Sequence, residues 1–258
     1  MSRLIKALHN QVPQVALEIF TENRYALTSG NVQRVTITID DGQCVSGLLM
    51  VPPAARAGYV VGHGAGGGME HPFMVSVAEG LAERGIATLR YQFPYMERGS
   101  KRPDAPTVAH AAVRAAVATM SCLAPNLALI AGGKSFGGRM TSQAYAASPL
   151  PGVRAIAFLG FPLHPAGRPS QNRGQHLFDV QIPMLFMQGS RDALADLPLL
   201  QGLVKQLGAR ATLKSFLDAD HSFHVPARSA RNDAEVRAEM LDMLAQWIET
   251  VSNTTEVP

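Results

Sequence analysis

The stretch from position 127 to position 138, LALIAGGKSFGG, constrains the fold of this chain more than any other. Its first half is an apolar run of the kind that forms a buried parallel strand. Its second half contains Gly-x-Ser-x-Gly around Ser135, which predicts a sharp turn from strand to helix with the serine in a strained backbone conformation. Gly133 and Gly137 are expected because a Cβ at either position would clash with the neighbouring strand or helix. Ser135 is therefore a candidate nucleophile.

The helix predicted to start at Phe136 adds a second chemical feature to this turn. Its first backbone N–H groups point into the space beside the serine oxygen, and a helix N-terminus carries partial positive charge. Such donors stabilise the negative charge that develops on a carbonyl oxygen during acyl transfer. The Phe136 N–H is thus a candidate for one half of an oxyanion hole.

A phosphate-binding loop is the competing interpretation of these residues, because Gly133-Lys134-Ser135 matches the end of Gly-x-x-x-x-Gly-Lys-Ser. The first glycine of that motif would fall at position 128, which is alanine. Residues 129–131 also form a buried-strand run where an exposed phosphate loop is required. The sequence therefore favours the nucleophile.

The composition suits one globular domain without a membrane span. A chain of 258 residues, 47% hydrophobic and 17% charged, is long enough for a well-buried core. The net charge of +3 is small and spread out, so neither nucleic-acid nor membrane binding is expected. Cys44 and Cys122 lack metal-type spacing and are expected to stay reduced and buried. No secretory signal is recognised at the start, so a cytoplasmic protein is expected.

Three regions are predicted along the chain. Residues 1–31 contain the pattern of one short amphipathic helix, an arm that packs on the body or on a second subunit of a homodimer. Residues 32–251 form the main domain, which opens with an antiparallel hairpin around a turn at residues 40–42. Residues 252–258 are expected to form a flexible tail.

Strand and helix patterns alternate through the main domain. After a strand at 58–61, the predicted elements are helices at 73–84, 107–122, 136–147, 196–207 and 233–251, strands at 86–91, 155–159, 183–187 and 212–217, and loops at 94–106 and 162–179. This alternation predicts an α/β fold whose parallel sheet is covered by helices on both faces.

A glycine-rich run, GHGAGGG, occupies positions 62–68 after the first of these strands. It fits the dinucleotide fingerprint, but the helical pattern starts only near Pro72, and the acidic residue expected after the next strand is missing. The other interpretation is a loop whose backbone N–H can approach a substrate oxygen because few side chains obstruct it. Ala65 is the candidate donor for the second half of the oxyanion hole, with Gly66 as the other option.

The remaining catalytic groups are expected at the carboxyl ends of other strands. Asp192 and His221 follow the last two predicted strands, and the order Ser135, Asp192, His221 is the chain order of triads in this type of fold. A serine hydroxyl needs an imidazole to take its proton, and a carboxylate must fix the imidazole tautomer.

Other acids and bases lie near these strand ends and are weaker candidates. Asp196 is better placed as a helix cap, and Asp220 adjoins His221, where orientation toward the imidazole is awkward. Asp218 is a further acid at this strand end, and His63, His71 and His224 are poorer bases than His221. Asp192 is therefore the predicted acid.

Five segments together resemble a known family: residues 63–74, 90–104, 132–140, 189–192 and 220–223. They are similar to the dienelactone-hydrolase-like α/β-hydrolases, closest to the group that includes the testis-expressed hydrolase-like protein and a subunit of a histone-acetyltransferase complex. The resemblance covers residues 32–250 and implies an eight-stranded, mostly parallel sheet with a serine-hydrolase site at Ser135, Asp192 and His221. Dienelactone hydrolases proper place a cysteine at the elbow, so the serine argues against their particular substrate.

The predicted function is that of a serine hydrolase acting on carboxylic esters or related small acyl compounds through an acyl-serine intermediate, with no metal or organic cofactor. The alternative is a catalytically silent binding or scaffold protein of the same fold. Residues 162–179 are too few for a helical lid, so we expect an open site that prefers short acyl esters. The loops carrying His71, Arg98 and Arg102 are expected to wall it, and the arginines, with Lys101, to hold an acidic substrate group.

Overall fold

A computed structural model describes residues 32–39 and 42–253 of the chain. The predicted arm at 1–31, two residues of the predicted hairpin turn at 40–41, and residues 254–258 lie outside the described residues. No helix in the described ranges is long and apolar enough to cross a membrane.

The described residues form an eight-stranded sheet in the order β1-β2-β4-β3-β5-β6-β7-β8. The strands are β1 (Val32–Thr38), β2 (Cys44–Met50), β3 (Ala57–Gly62), β4 (Ile86–Tyr91), β5 (Ala128–Lys134), β6 (Val153–Leu159), β7 (Met184–Gly189) and β8 (Ala211–Phe216). β1 and β2 form the predicted antiparallel hairpin, β2 pairs antiparallel with β4, and the other neighbours are parallel. The expected mostly parallel sheet is therefore confirmed.

Helices cover both faces of the sheet, as apolar parallel strands require. They are α1 (Pro72–Glu83), α2 (Pro94–Glu97), α3 (Pro106–Leu123), α4 (Phe136–Ala147), α5 (Leu197–Leu207) and α6 (Asp233–Asn253), with 3-10 helices at Asn172–Asp179 and Gly208–Arg210. The core on one face includes α3, α4 and α5, and the core on the other includes α1 and α6. Strand β5 lies in the interior of the sheet, with β3 and β6 on either side.

The structure differs from the sequence-based prediction in several details. The loop predicted at 94–106 contains α2, and the loop predicted at 162–179 ends in a 3-10 helix, which Leu177 anchors in the core. Helix α6 runs to Asn253, two residues into the predicted tail. Cys44 and Cys122 are free but exposed, so their predicted burial was wrong: Cys44 is the first residue of β2, and Cys122 lies on the solvent side of α3.

Candidate active site

The turn between β5 and α4 holds Ser135 in the conformation that the sequence predicts. Ser135 has φ of 49° and ψ of −110°, a backbone conformation that residues other than glycine rarely adopt. A Cβ on Gly133 would lie 2.2 Å from the carbonyl oxygen of Gly62, and a Cβ on Gly137 would lie 2.3 Å from the same oxygen. Both glycines are therefore needed because β3 passes so close to the turn.

His221 and Asp192 meet Ser135 in one hydrogen-bonded chain. The Nε2 of His221 lies 2.8 Å from the Ser135 hydroxyl oxygen, and its Nδ1 lies 2.6 Å from Oδ2 of Asp192. The serine comes from the end of β5, the aspartate from the loop after β7, and the histidine from the loop after β8. The structure thus brings together all three predicted residues, although they are far apart in sequence.

The Asp192 carboxylate is fully enclosed, with 0% of its side chain exposed. Its Oδ1 accepts a hydrogen bond from the backbone N–H of Leu194 at 2.7 Å, and its Oδ2 accepts from Nε2 of Gln188 as well as facing His221. Gln188 is itself oriented, because its Oε1 accepts from the Phe161 N–H at 2.9 Å. These donors fix the orientation of the carboxylate, whose Oδ2 faces Nδ1 of His221.

The competing aspartates have other partners. Asp196 is the N-cap of α5 and accepts from the Leu199 N–H at 3.0 Å, as predicted for a helix cap. Asp220 accepts from the backbone N–H groups of Ser222 and His224, so it shapes the loop that carries the histidine. Asp218 accepts from the hydroxyl of Ser229. Asp192 is the one of the four that contacts His221.

The glycine-rich loop after β3 runs beside the serine. A Cβ built on Gly64 would lie 3.9 Å from the Ser135 Cβ. The buried side chain of His63 stabilises this loop. Its Nε2 accepts a hydrogen bond from the Phe93 N–H at 3.1 Å, and its Nδ1 donates one to the Gly64 carbonyl at 2.8 Å. Burial lowers the pKa of His63 to about 4, so the ring is neutral near pH 7 and can fill both roles. His63 is a structural residue here, consistent with its exclusion as a base.

The predicted oxyanion donors are Ala65, in the glycine-rich loop, and Phe136, directly after Ser135. The carbonyl of Ala65 accepts from the Tyr95 hydroxyl at 3.0 Å, which anchors that residue's peptide on the α2 side. Phe136 is the first residue of α4, and its ring packs edge-on against Phe93 at 5.1 Å between centroids. Helix α4 therefore presents its N-terminus at the serine, as expected.

The three predicted substrate-binding side chains are those of His71, Arg98 and Arg102. His71 is the N-cap of α1 and its Nδ1 accepts from the Phe73 N–H at 3.2 Å. Arg98 forms an ion pair with Asp104 at 2.5 Å, and Arg102 is exposed. Within residues 32–39 and 42–253, no hydrogen bond joins any of these three predicted side chains to the triad.

A lysine that the sequence analysis did not select lies against the triad. Lys134 is the last residue of β5, and its Nζ donates to the backbone carbonyl of His221. The Nζ also lies 5.7 Å from the ring centroid of Phe73 and 5.5 Å from that of Phe223. Burial lowers the pKa of Lys134 to about 8, although Asp192 and Asp220 oppose that shift. Its position inside Gly-x-Ser-x-Gly was the only available signal.

A second serine–histidine pair lies deeper on the same helix. The Ser142 hydroxyl is 2.8 Å from Nε2 of His176, but Ser142 is fully buried on α4 and also donates to the carbonyl of Arg139 at 3.0 Å. Burial, followed by the charge of Arg139, lowers the pKa of His176 to about 4. A substrate carbonyl has no access to this serine, so the pair belongs to the packing of α4 on the 3-10 helix.

The fold and this site define an α/β protein with a serine at a strand-to-helix elbow. Residues 55–249 match the alpha/beta hydrolase domain family, and the chain belongs to that family. No large cap domain interrupts the described residues, and no group of three His, Cys, Asp or Glu side chains among them could hold a metal ion.

Solved structures show the same fold at low sequence identity. A dienelactone hydrolase from Anabaena variabilis is 20% identical with a TM-score of 0.70, over 86% of this chain and 99% of that one. A serine hydrolase without a lid from Xanthomonas campestris is 22% identical with a TM-score of 0.66, over 86% and 97%. An esterase from Pyrococcus furiosus is 14% identical with a TM-score of 0.68, over 95% and 97%.

Proposed function

We propose that this protein is a serine hydrolase that cleaves carboxylic esters or related small acyl compounds through an acyl-Ser135 intermediate. The observation that carries the proposal is the continuous chain from the Ser135 hydroxyl through His221 to Asp192, with distances of 2.8 and 2.6 Å. These distances lie within the range in which an imidazole can take a hydroxyl proton.

The proposed reaction uses each group in turn. The Ser135 hydroxyl oxygen attacks the substrate carbonyl carbon while Nε2 of His221 takes the hydroxyl proton. Asp192 keeps the other ring nitrogen protonated and stabilises the imidazolium. The backbone N–H groups of Phe136 and Ala65 stabilise the oxyanion. His221 then returns its proton to the leaving alcohol, and water repeats the sequence on the acyl-serine to release the acid.

A fluorophosphonate probe tests this proposal directly, because it forms a covalent bond with an activated serine. We expect the wild-type protein to be labelled and Ser135→Ala to remain unlabelled, with Ser142→Ala labelled like wild type. Equal labelling of wild type and Ser135→Ala would overturn the assignment. Absence of labelling together with absence of p-nitrophenyl ester turnover would favour the silent scaffold instead.

The finer substrate class is also a proposal. Only residues 160–171 separate β6 from the 3-10 helix, which supports an open site that favours short acyl chains. Two further proposals rest on the sequence. One is the likeness to the group that includes the testis-expressed hydrolase-like protein and the histone-acetyltransferase-complex subunit, and the other is a cytoplasmic location.

An acidic substrate group would need a free cation near the serine. Arg98 is paired with Asp104. Arg102 and Arg139 form no ion pair with a carboxylate of the described ranges. Arg139 is a further candidate because it lies one helical turn beyond Ser135, with its guanidinium 5.9 Å from the Phe136 ring centroid. The ratio of kcat/KM for p-nitrophenyl hemisuccinate and acetate should fall in Arg139→Gln and stay constant in the exposed control Arg237→Gln.

A further inference from the structure

Lys134 contacts the loop of the predicted base rather than the solvent. Its Nζ donates to the backbone carbonyl of His221, the residue whose ring faces Ser135. The lysine is the residue directly before Ser135, so the nucleophile and the base are joined by one side chain as well as by their own hydrogen bond. A change at this position acts on both partners of the proton transfer.

The surroundings of Lys134 fix where its ammonium lies. The rings of Phe73 and Phe223 are stacked, with centroids 5.9 Å apart and planes 9° apart, and the ammonium lies at similar distances from both. A cation near two aromatic faces is stabilised without a carboxylate in direct contact. Because Phe223 belongs to the loop after His221, the ammonium binds that loop at two points.

Gly160 leaves the space that this arrangement needs. It directly follows β6 and has φ of +76°, and a Cβ there would lie 3.0 Å from Nζ of Lys134 and 3.4 Å from Cε1 and Nδ1 of His221. The same spot therefore adjoins both the ammonium and the imidazole, which places the positive charge close to the ring.

Three titratable groups lie near the Lys134 ammonium. Asp192 after β7 and Asp220 after β8 act on it, and His221 is the titratable ring beside it. Asp192 faces the imidazole directly, whereas Asp220 is engaged with backbone N–H groups of its own loop. Lys134 is thus the cation that balances the carboxylate charge around His221.

We propose that Lys134 is a positioning residue for the general base: its hydrogen bond to the His221 carbonyl holds the His221 loop against the elbow. The inference rests on the proposed hydrolase function. It goes beyond the triad, because the lysine contacts neither the substrate carbonyl nor the serine hydroxyl. Its effect should appear in the reactivity of Ser135, and in kcat rather than in KM.

The experiment compares Lys134→Met, which removes the hydrogen bond and the charge, with Lys134→Arg, which retains both, and with the exposed control Lys214→Met. The rate of fluorophosphonate labelling and the kcat and KM for p-nitrophenyl acetate are measured from pH 5 to 9. For Lys134→Met we expect labelling and kcat to fall by about ten- to a hundredfold, the range that misplacement of a catalytic group produces. KM should change little, and Lys134→Arg should recover part of the rate.

Two results would overturn the inference. One is wild-type labelling and wild-type kcat in Lys134→Met. The other is a loss of rate in which KM rises as much as kcat falls and Lys134→Arg is no better than Lys134→Met, since that pattern indicates a structural role. Lys134→Gln, which retains a hydrogen-bond donor, tests the same contact if the methionine variant folds poorly. Failure of the wild-type protein to be labelled would instead refute the proposed function itself.

Discussion

Replacing Asp192 by asparagine is the sharpest test of the proposed site, because the structure leaves the amide without a satisfactory orientation. The carboxylate faces three donors: Leu194 N–H at Oδ1, and Gln188 Nε2 and His221 Nδ1 at Oδ2. Gln188 cannot offer its oxygen instead, because that oxygen already accepts from the Phe161 N–H. The asparagine NH₂ must therefore meet a donor on either side.

The two orientations have different consequences. With the NH₂ toward Leu194, a half-buried backbone N–H loses its acceptor and His221 keeps its tautomer without a negative charge beside it. With the NH₂ toward His221, Gln188 loses its acceptor and Nδ1 must become an acceptor, so the proton moves to Nε2. The ring then cannot take the Ser135 proton, and such a tautomer error costs about 10⁴-fold in kcat.

We therefore expect Asp192→Asn to lower kcat by about 10² to 10⁴-fold, which corresponds to about 3 to 5 kcal/mol of transition-state stabilisation. The unsatisfied donor should lower the free energy of unfolding by about 1 to 3 kcal/mol. The assay is p-nitrophenyl acetate turnover combined with urea unfolding. Asp218→Asn is the matched control, because it makes the same change in a neighbouring loop at φ of 60°, which asparagine tolerates.

Near-normal kcat in Asp192→Asn would refute the reasoning, as would an equal loss in Asp218→Asn. A loss of kcat explained entirely by unfolding would also count against it, because the amide differs from the carboxylate by a single group of similar size. The urea curve at the assay pH makes that distinction.

Three further predictions concern the elbow, the lysine and the acyl group. Gly137→Ala would place a Cβ 2.3 Å from the Gly62 carbonyl oxygen, so thermal unfolding should show that the free energy of unfolding falls by about 1 to 3 kcal/mol or more. The control Gly202→Ala, where the nearest atom is 3.5 Å away, should not destabilise α5. Equal melting temperatures of the two variants would contradict this. Burial lowers the pKa of Lys134 from 10.5 to about 8 in the folded state, so the unfolded chain binds more protons between these two pH values. The stability of wild type relative to Lys134→Met should therefore rise with pH across that window and stay level below it. A fall in the difference between the two urea midpoints from pH 8 to pH 10 would disprove this. In a p-nitrophenyl ester series, kcat/KM should peak at short acyl chains, because the binding energy of about 0.8 kcal/mol per buried CH₂ is available only where a tunnel encloses the chain. A steady rise of kcat/KM from acetate to laurate would mean that such a tunnel exists.

The positions of the three triad residues could be predicted because each follows an apolar strand that the sequence pattern marks clearly. Chain order and the rule that parallel strands end at one edge then bring Ser135, Asp192 and His221 together. The clash that requires glycine at 133 and 137 was also predictable, since any close strand crossing at the turn produces it.

The partners that orient these residues could not be predicted in the same way. Gln188 and Lys134 act through single hydrogen bonds to Asp192 and to the His221 carbonyl, and neither contact has a periodicity or spacing in sequence. The ion pair of Arg98 with Asp104 likewise depends on the path of a loop. Short helices such as α2, with four residues, are too brief to give a pattern.

The order of the strands has a consequence for how the protein loses activity. The serine is attached to β5 in the interior of the sheet, whereas His221 follows β8, the edge strand, whose residues are largely half-buried or exposed. Edge elements with little buried apolar surface open at lower free energy than the centre of a sheet. Mild denaturant should therefore separate the base from the nucleophile while the central strands remain folded, so that inactivation precedes the loss of secondary structure.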